Sequence, residues 1–393
     1  MQRDLDSPLG LDFDLDSEQI AWREQVRSFA RENVTPHSRT FEEAHNLPRP
    51  LFEKMAKEGL LGVNIPESLG GAERGVVAYA IAMREMSRAD SSVAVTMAVT
   101  NMAAEVIVHF GTEEQKMKHV PKITSGKYFA AAFALSEPGA GSDAAALSTK
   151  AERTSKGWIL NGEKMWITSG DIADVFIVWA RTGGPGAGGI SCFLVEKGTQ
   201  GFSAGKPEEK MGLRASHTTS LTFEDVEVGE DALLGELGKG FKVAMVALDG
   251  GRIGVSSQAV GIGEAALERA RQFAVEESAG GTPLANEQAV QFQLADVATE
   301  LDAAWLLALR AASMKQRKVR FSREAAMAKA FASEAANRAT RTAVEIAGSR
   351  GILNDYIAPR LLRDCRVTQI YEGTSEVQRL VISREVLKSG VLP

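Results

Sequence analysis

The carboxylate of Glu372 is a candidate general base because of the short turn in which it lies. The turn Tyr371-Glu372-Gly373 precedes Ser375 and Gln378, whose spacing is that of a capping box and predicts a helix starting there. A carboxylate in the turn before a helix can point into a cleft, and the neighbouring glycine lets a substrate approach the backbone. The competing interpretation is a solvated loop glutamate, which is the more common fate of this residue type.

A second segment, residues 135–143, reads Leu-Ser-Glu-Pro-Gly-Ala-Gly-Ser-Asp. Its glycines allow close approach of the backbone to a bound group, and its hydroxyls and free amides supply hydrogen-bond donors. Residues 139–144 also imitate the GxGxxA dinucleotide fingerprint, but that fingerprint requires a surrounding βαβ unit. A hairpin signal at Asn161-Gly162 follows instead. It argues against a nicotinamide site and leaves a purely structural turn as the other alternative.

A third segment, Met165-Trp166-Ile167-Thr168-Ser169-Gly170, has the character of a strand end. Trp166 and Thr168 occupy alternate positions, so they are expected on the same face of the strand. A flat aromatic platform with a hydroxyl beside it suits a flavin ring. The alternative for Trp166 is a core aromatic of the sheet, which is the more common role of an isolated tryptophan.

Helices are predicted for the first third of the chain. Ser17 is a candidate N-cap, and Gly111 is a candidate stop for a helix over residues 93–110. Apolar residues recur with a helical period over residues 51–58 and 76–87 as well. We therefore predict an all-α N-terminal domain over residues 1–122.

The pattern changes to strands and then returns to helices. Asn161-Gly162 predicts a hairpin that pairs residues 158–160 with 164–168. The further strand segments are residues 175–180, 190–195 and 220–228, with a glycine-rich surface loop at 183–189. The later helical segments are residues 243–276, 288–313, 322–347 and 375–387. The predicted fold class is α+β, with an antiparallel β domain over residues 123–232 and a C-terminal four-helix bundle over residues 233–393.

Composition excludes several classes of function. The chain has 393 residues with 45 Lys and Arg against 51 Asp and Glu, so a net charge of −6 predicts no nucleic-acid binding. Its two cysteines, Cys192 and Cys365, lack the spacing of a zinc site or a disulfide framework, so we predict no metal. The acidic, apolar-poor leader over residues 1–17 predicts no targeting peptide. No stretch reaches the roughly 18 apolar residues of a spanning helix, so we expect no membrane insertion and a cytoplasmic location.

Taken in order along nearly the whole chain, several segments together resemble one family. They are residues 136–143, 165–168, 210–214, 223–226, 248–254, 345–351 and 371–374. Their joint order resembles the acyl-CoA dehydrogenase family. The helical, β and bundle arrangement of that family agrees with the domains predicted from periodicity.

This resemblance implies a set of cofactor and substrate contacts. FAD is expected between the β domain and the bundle, with Phe133, Leu135, Ser136, Gly141, Ser142, Trp166 and Thr168 around it. The resemblance adds Gln288, Glu345, Gly348, Ser349, Thr374 and Glu376, of which Gln288 and the loop from Glu345 to Ser349 meet mainly a neighbouring subunit's FAD. The implied substrate contacts are Ser142, Asp249, Arg252, Tyr371 and Gly373. It also implies a homotetramer, a dimer of dimers, that passes electrons to electron-transfer flavoprotein.

The implied reaction is α,β-dehydrogenation of an acyl-CoA to the trans-2-enoyl-CoA in fatty acid metabolism, as in β-oxidation. Glu372 would remove the α-proton, and burial is expected to raise its pKa toward about 6 to 7. Residues 248–254 and the following Ser256-Ser257-Gln258 resemble short-chain members, so we expect a short straight or branched acyl group. The alternatives are an acyl-carrier-protein dehydrogenase, an acyl-CoA oxidase, or a catalytically silent scaffold.

The sequence departs from the family pattern at several places. Glu277 and Gly280 replace an Arg and a Phe that are common near the neighbouring flavin, and Glu345 replaces a Gln. We hypothesise that Arg350 supplies the missing cation and that Glu345 orients it. A minority of the family carries its base at the position of Gly251, so this chain has no substitute carboxylate there.

Overall fold

The described chain comprises residues 15–279 and 281–389 of a computed structural model. Helices extend to Thr124, a β domain follows, and helices return from Gly240. This order confirms the predicted fold class. Most of the acidic leader lies outside the described residues, and so does Gly280.

Six helices make up the N-terminal domain over the residues that the structure describes, from residue 15 onward. They are α1 (Ser17–Asn33), α2 (Ser38–Ala44), α3 (Arg49–Lys57), α4 (Gly75–Ala89), α5 (Ser91–Phe110) and α6 (Glu113–Thr124). The N-cap of α1 is Asp16, whose carboxylate accepts from the backbone N–H of Gln19 at 2.8 Å. The prediction of Ser17 as the N-cap is therefore wrong by one residue, because the acidic side chain before it both caps the first turn and complements the helix dipole.

Helix α5 is long and apolar enough to cross a membrane by length and composition, so the prediction that no segment reaches that size is wrong for α5. Yet 67% of its most apolar window is buried inside the fold. Its polar groups also bond within the fold, since the Asn101 amide donates to the Leu60 carbonyl at 2.8 Å. These properties are those of a core helix, and α5 is packed here against neighbouring elements.

Seven strands form the sheet of the middle domain. They are β1 (Ala131–Ala134), β2 (Lys150–Arg153), β3 (Gly157–Thr168), β4 (Val175–Arg181), β5 (Ile190–Glu196), β6 (Phe202–Ala204) and β7 (Thr218–Gly229). The order is β1-β4-β2-β3-β7-β6, with β5 paired to β4. Most pairs are antiparallel, as predicted, but β1 pairs parallel with β4 and β2 makes one parallel pairing with β4. The glycine-rich segment connects β4 and β5, as predicted.

The predicted hairpin at Asn161-Gly162 is wrong, because β3 runs without a turn through both residues. Instead β3 pairs with β2 on one side and β7 on the other, and its register with β7 shifts at Gly162. Gly162 has φ +145°, and a Cβ there would lie 2.7 Å from the Thr149 Cα. The glycine therefore serves a β-bulge and a close strand contact, which a local sequence pattern does not distinguish from a turn.

In the described part of the chain, five helices follow the sheet. They are α7 (Gly240–Glu276), α8 (Gln288–Gln316), α9 (Ser322–Ala347), α10 (Ile357–Cys365) and α11 (Ser375–Ser389), with two-residue strands β8 (Ser278–Ala279) and β9 (Thr282–Pro283) before α8. The four long helices start and end close to the predicted segments. Buried alanines on α9 let it approach α7 and α8, and a Cβ on Gly263 of α7 would lie 2.4 Å from a Leu301 methyl of α8. The sequence did not predict α10.

A loop from the β domain docks on α10, close before the turn that carries Glu372. A Cβ at Gly212 would lie 2.2 Å from the Arg363 carbonyl oxygen, so this contact requires a glycine. The neighbouring Leu213 donates its backbone N–H to the Asp364 carboxylate at 2.6 Å, and Arg363 donates to the Met211 carbonyl at 2.9 Å. The docked loop thereby sets the position of the β domain against the helices.

Candidate active site

A cavity of about 400 Å³ lies where α4, α5, the β domain, α7 and α11 meet. Of the residues predicted for a cofactor or substrate site, eleven line this cavity: Phe133, Leu135, Ser136, Gly141, Ser142, Trp166, Thr168, Arg252, Tyr371, Glu372 and Gly373. The three segments found separately in the sequence therefore meet in one place.

The small-residue loop after β1 is held by a buried acid. The Glu137 carboxylate accepts from the Ser148 and Thr149 backbone N–H groups at 2.6 and 2.9 Å, and from the Lys164 ammonium at 2.7 Å. Lys164 also donates to the Leu135 carbonyl at 3.2 Å. The loop is followed by a short 3-10 turn and β2, without a helix, so the dinucleotide-fingerprint alternative is wrong.

Glu137 and Lys164 form an ion pair that is almost completely buried. Burial disfavours both charges. At Glu137 the Lys164 charge and the hydrogen bonds outweigh burial and lower the pKa to about 2. At Lys164 burial outweighs the carboxylate and lowers the pKa to about 8, still above neutral pH. Both groups are charged at pH 7, and together they fix the loop against β3.

Trp166 lies at a β-bulge near the end of β3. Its φ is +63°, and the register with β7 shifts between Lys164 and Ile167. A bulge re-aims a side chain, and here Trp166 is 59% exposed and lines the cavity. The sheet-core alternative for Trp166 is therefore wrong.

The turn that carries Glu372 has two consecutive residues with left-handed backbone, Glu372 at φ +54° and Gly373 at φ +89°. The Gln378 amide donates to the carbonyls of both residues, at 3.1 and 2.9 Å. The Lys329 ammonium donates to the Gly373 carbonyl at 2.7 Å. The predicted capping box is wrong in detail, because Thr374 caps α11 and accepts from the Val377 N–H, while Gln378 braces the turn.

Glu372 is not a solvated loop residue. Within the described chain its buried Oε2 has no hydrogen-bond partner. Burial raises the pKa of Glu372 to about 7, although the positive charges of Arg252 and Lys329 oppose the rise. A carboxyl group with this pKa takes up and releases a proton near neutral pH, as a general base must.

Gly251 of α7 faces this carboxylate. A Cβ at Gly251 would lie 2.6 Å from Oε2 of Glu372. Two carboxylates at the two positions would therefore compete for the same space, and glycine at one leaves room for the acid at the other.

Two polar networks on α7 border the cavity. Arg252 donates to Asp249 at 2.6 Å, and Asp249 also accepts from the Ser322 hydroxyl. Asp249 does not line the cavity itself but holds Arg252, which does, and its contact with substrate stays a prediction. In the second network the Tyr371 hydroxyl donates to Gln258, whose amide donates to the Ser91 carbonyl at 3.3 Å.

Six residues implied by the resemblance lie outside the cavity lining: Gln288, Glu345, Gly348, Ser349, Thr374 and Glu376. The first four are exposed. Arg350 pairs with Glu277 at 3.0 Å, whereas Glu345 lies 3.5 Å from Arg341. The expectation that Glu345 orients Arg350 is therefore wrong, because Glu277 pairs with this guanidinium instead.

Sequence reasoning missed the helical walls of the cavity. On α5 the lining residues Val95, Ala98, Val99 and Met102 share the spacing of one helix face. Tyr79 of α4 and Gln258 of α7 complete the buried part. Their spacing resembles that of any core-facing helix, so no local signal distinguishes them from ordinary core residues.

Three family profiles match the chain, in sequence order. The profile described as acyl-CoA dehydrogenase, N-terminal domain matches residues 16–127, the middle-domain profile matches residues 132–226, and the C-terminal-domain profile matches residues 238–387. Together they leave only short connecting and terminal segments unmatched.

Two relatives align with almost the entire chain. A protein named acyl-CoA dehydrogenase from Bacillus subtilis (strain 168) is 47% identical over 372 residues, covering 94% of this chain and 98% of that protein. A protein named short-chain specific acyl-CoA dehydrogenase, mitochondrial, from Bos taurus is 47% identical over 369 residues, covering 93% and 89%.

Solved structures show the same arrangement. Butyryl-CoA dehydrogenase from Megasphaera elsdenii superposes with a TM-score of 0.93 at 39% identity, covering 96% of this chain and 100% of that one. A chain from a study of the electron transferring flavoprotein of Acidaminococcus fermentans gives 0.94 at 43% identity, with 96% and 100% covered. A glutaryl-CoA dehydrogenase from Mycobacterium smegmatis, solved in complex with FADH2, gives 0.92 at 30% identity, with 98% of each chain covered.

Proposed function

The chain belongs to the acyl-CoA dehydrogenase family of flavin-dependent oxidoreductases, and from this premise we propose that it oxidises short-chain acyl-CoA to trans-2-enoyl-CoA with Glu372 as the base. The observation that carries the proposal is the buried, unpartnered Oε2 of Glu372 within the described chain. It shares a cavity with Trp166 and with the hydroxyl-bearing loop after β1.

The cavity suits a flavin. Trp166 presents an exposed indole, and Ser136, Ser142 and Thr168 line the cavity beside it. Gly141 faces open space, since a Cβ there would meet nothing within 4 Å. FAD, when bound, supplies the acceptor for the hydride that leaves the β-carbon of the substrate. We assign the flavin contacts of this chain to Phe133, Leu135, Ser136, Gly141, Ser142, Trp166 and Thr168.

The protein's own contribution is to remove one proton from the α-carbon and to stabilise the enolate that results. The Glu372 carboxylate accepts the proton. The backbone N–H of Glu372 has no hydrogen-bond partner among the residues that the structure describes, so it is available to donate to the thioester oxygen as negative charge develops there. Arg252, held by Asp249, favours the ionised form of Glu372 before the transfer.

The rate of flavin reduction should depend on pH with the sign set by Glu372. The ionised form is the active one, and its pKa is about 7. We expect the rate with butyryl-CoA to rise about tenfold per pH unit below that value and to level off above it. Anaerobic rapid mixing at a series of pH values measures this dependence, with the flavin spectrum before mixing as the control for an intact protein. A rate that is constant across the range would contradict the assignment.

A polar pair at the buried part of the cavity supports a short acyl group. Gln258 is 1% exposed and holds the Tyr371 hydroxyl, so an acyl chain that reached this pair would have to displace a buried hydrogen bond. We expect butyryl- and isobutyryl-CoA to bleach the flavin faster than octanoyl- or palmitoyl-CoA. Gln258→Ala should raise the octanoyl-to-butyryl rate ratio by at least about tenfold, since a pocket discriminates one methylene by 10- to 200-fold.

Ser257→Ala is the matched control for this substitution, because Ser257 is buried on α7 beside Gln258 but bonds the Ile253 carbonyl and does not line the cavity. It should leave the order of reduction rates among acyl chain lengths unchanged.

A wild-type preference for octanoyl-CoA would overturn the short-chain assignment. Reduced flavin that is reoxidised rapidly by air would favour the acyl-CoA oxidase, and bleaching only by acyl-carrier-protein thioesters would favour the carrier-protein enzyme.

We also propose a homotetramer, a dimer of dimers, with electron-transfer flavoprotein as the acceptor. The assembly is supported by exposed apolar side chains on the C-terminal helices and loops, among them Phe292, Ile352 and Leu380. The acceptor is supported by the similarity to the Acidaminococcus fermentans chain. In this assembly Gln288, Glu345, Gly348 and Ser349 would contact a neighbouring subunit's FAD. A cytoplasmic location stays a prediction.

A further inference from the structure

Lys329 of α9 is a buried cation beside the proposed base. The residue is completely inaccessible, and its ammonium donates to the Gly373 carbonyl at 2.7 Å. Within the described chain no carboxylate lies within ion-pair distance of this nitrogen. Burying a charge without a paired anion costs free energy of folding. Packing alone therefore does not explain a lysine at this position.

Lys329 contacts the turn that carries Glu372. The Gly373 carbonyl accepts from both Lys329 and Gln378, and the Glu372 carbonyl accepts from Gln378 alone. These carbonyls belong to two consecutive residues with positive φ, a conformation that a glutamate seldom adopts without support. Hydrogen-bond donors on two helices, Lys329 on α9 and Gln378 on α11, therefore hold the turn in this conformation.

The charge of Lys329 also acts on the carboxylate of Glu372. Burial lowers the pKa of Lys329 to about 8, and the nearby Glu372 is the largest influence that opposes this lowering. In return, Lys329 and Arg252 oppose the burial that raises the pKa of Glu372. Arg252 reaches the cavity, whereas Lys329 does not line it, so Lys329 acts from behind the turn.

We propose that Lys329 is a positioning residue for the reaction: its ammonium fixes the Gly373 carbonyl, which aims the Glu372 carboxylate at the α-carbon. The charge of Lys329 adds an electrostatic effect, because it favours the ionised form of that carboxylate. The assignment rests on the proposed role of Glu372 as the base. The geometric and electrostatic effects of Lys329 can be separated with Gln378. Gln378 also donates to the Gly373 carbonyl, but it carries no charge.

The test compares Lys329→Met with Gln378→Met in the FAD-loaded enzyme. For Lys329→Met we expect the pH midpoint of flavin reduction by butyryl-CoA to move up by about one pH unit, which lowers the rate about tenfold on the acidic side. The rate plateau at high pH should also fall, with the KM for butyryl-CoA nearly unchanged. Gln378→Met should lower the plateau without moving the midpoint, because it removes a donor and no charge.

A second measurement follows Glu372 directly. The carboxyl stretch of Glu372 in the infrared spectrum, identified by its absence in Glu372→Gln, reports ionisation without substrate. The pH midpoint of Glu372 ionisation should rise in Lys329→Met and remain unchanged in Gln378→Met. Lys329→Gln, which keeps a donor and loses the charge, serves if the methionine variant does not fold, and it should show the same rise.

The outcomes separate this inference from the function on which it rests. Wild-type enzyme that fails to bleach with any acyl-CoA would refute the proposed function, while the infrared midpoint still tests the effect of Lys329 on Glu372. An unchanged midpoint in both Lys329 variants would overturn the electrostatic role. A plateau unaffected in both Lys329→Met and Gln378→Met would overturn the positioning role.

Discussion

Glu372→Gln is expected to retain FAD and to bind butyryl-CoA nearly as wild type does, while the rate of flavin reduction falls by roughly 10²- to 10⁴-fold or more. The amide has the size of the acid but cannot accept the α-proton. Its position at the boundary of the cavity, with an unpartnered oxygen in the described chain, means that few contacts are lost on substitution. Anaerobic rapid mixing gives the rate, and titration of the flavin spectrum with butyryl-CoA gives the affinity.

Two comparisons make this result decisive. Glu227→Gln removes an exposed carboxylate on β7 outside the cavity and should reduce flavin at the wild-type rate. Asp143 is the other acidic residue that lines the cavity in the described chain, and Gly251 carries no side chain. Reduction retained in Glu372→Gln would therefore show that the base lies elsewhere, and Asp143→Asn would be the variant to examine next.

Lys164→Met is expected to destabilise the folded protein by about 3–5 kcal/mol, the usual cost of leaving one member of a buried ion pair without the other. Glu137 would keep its bonds to Ser148 and Thr149 but would lose the cation that pairs with it in a buried site. Since the same pair holds the loop that carries Ser136 and Gly141, FAD affinity should fall as well. Denaturant titration measures the stability, and titration of apo-protein with FAD measures the dissociation constant.

Neutralising both partners should be less harmful than neutralising one. Lys164→Met combined with Glu137→Gln leaves no uncompensated buried charge, so this double variant should be more stable than Lys164→Met alone. The matched control is Arg153→Met, which breaks an exposed pair with Glu230 at 2.8 Å and should cost less than about 1 kcal/mol. Equal losses in Lys164→Met and Arg153→Met would show that the buried pair does not hold the loop.

The candidate site was readable from the sequence where its chemistry is concentrated in short segments. The turn around Glu372, the loop from Ser136 to Ser142 and the strand end at Trp166 each combine unusual residues within a few positions. The structure brings all three segments to one cavity. Lys164 escaped notice because a lysine in a strand normally faces solvent, and its buried partner Glu137 lies 27 residues away in sequence.

Asn161-Gly162 shows the limit of a local pattern. Two residues with turn-forming character predicted a hairpin, yet β3 continues through them. Whether such a dipeptide makes a turn or a bulge depends on the strands available on either side, here β2 and β7. Those partner strands come from elsewhere in the chain, so only the assembled sheet determines whether the dipeptide forms a turn or a bulge.

The sequence by itself determined the order of helices, sheet and bundle, because the periodicity of apolar residues is a property of each segment alone. It also identified Glu372 and Trp166 as candidates. Only the tertiary structure decided that Trp166 is exposed and that Gly251 leaves room for the carboxylate. It also decided that burial raises the pKa of Glu372 to about 7 against the opposing charges of Arg252 and Lys329. Desolvation and Coulomb interaction depend on distances between residues far apart in sequence, and only the folded chain sets those distances.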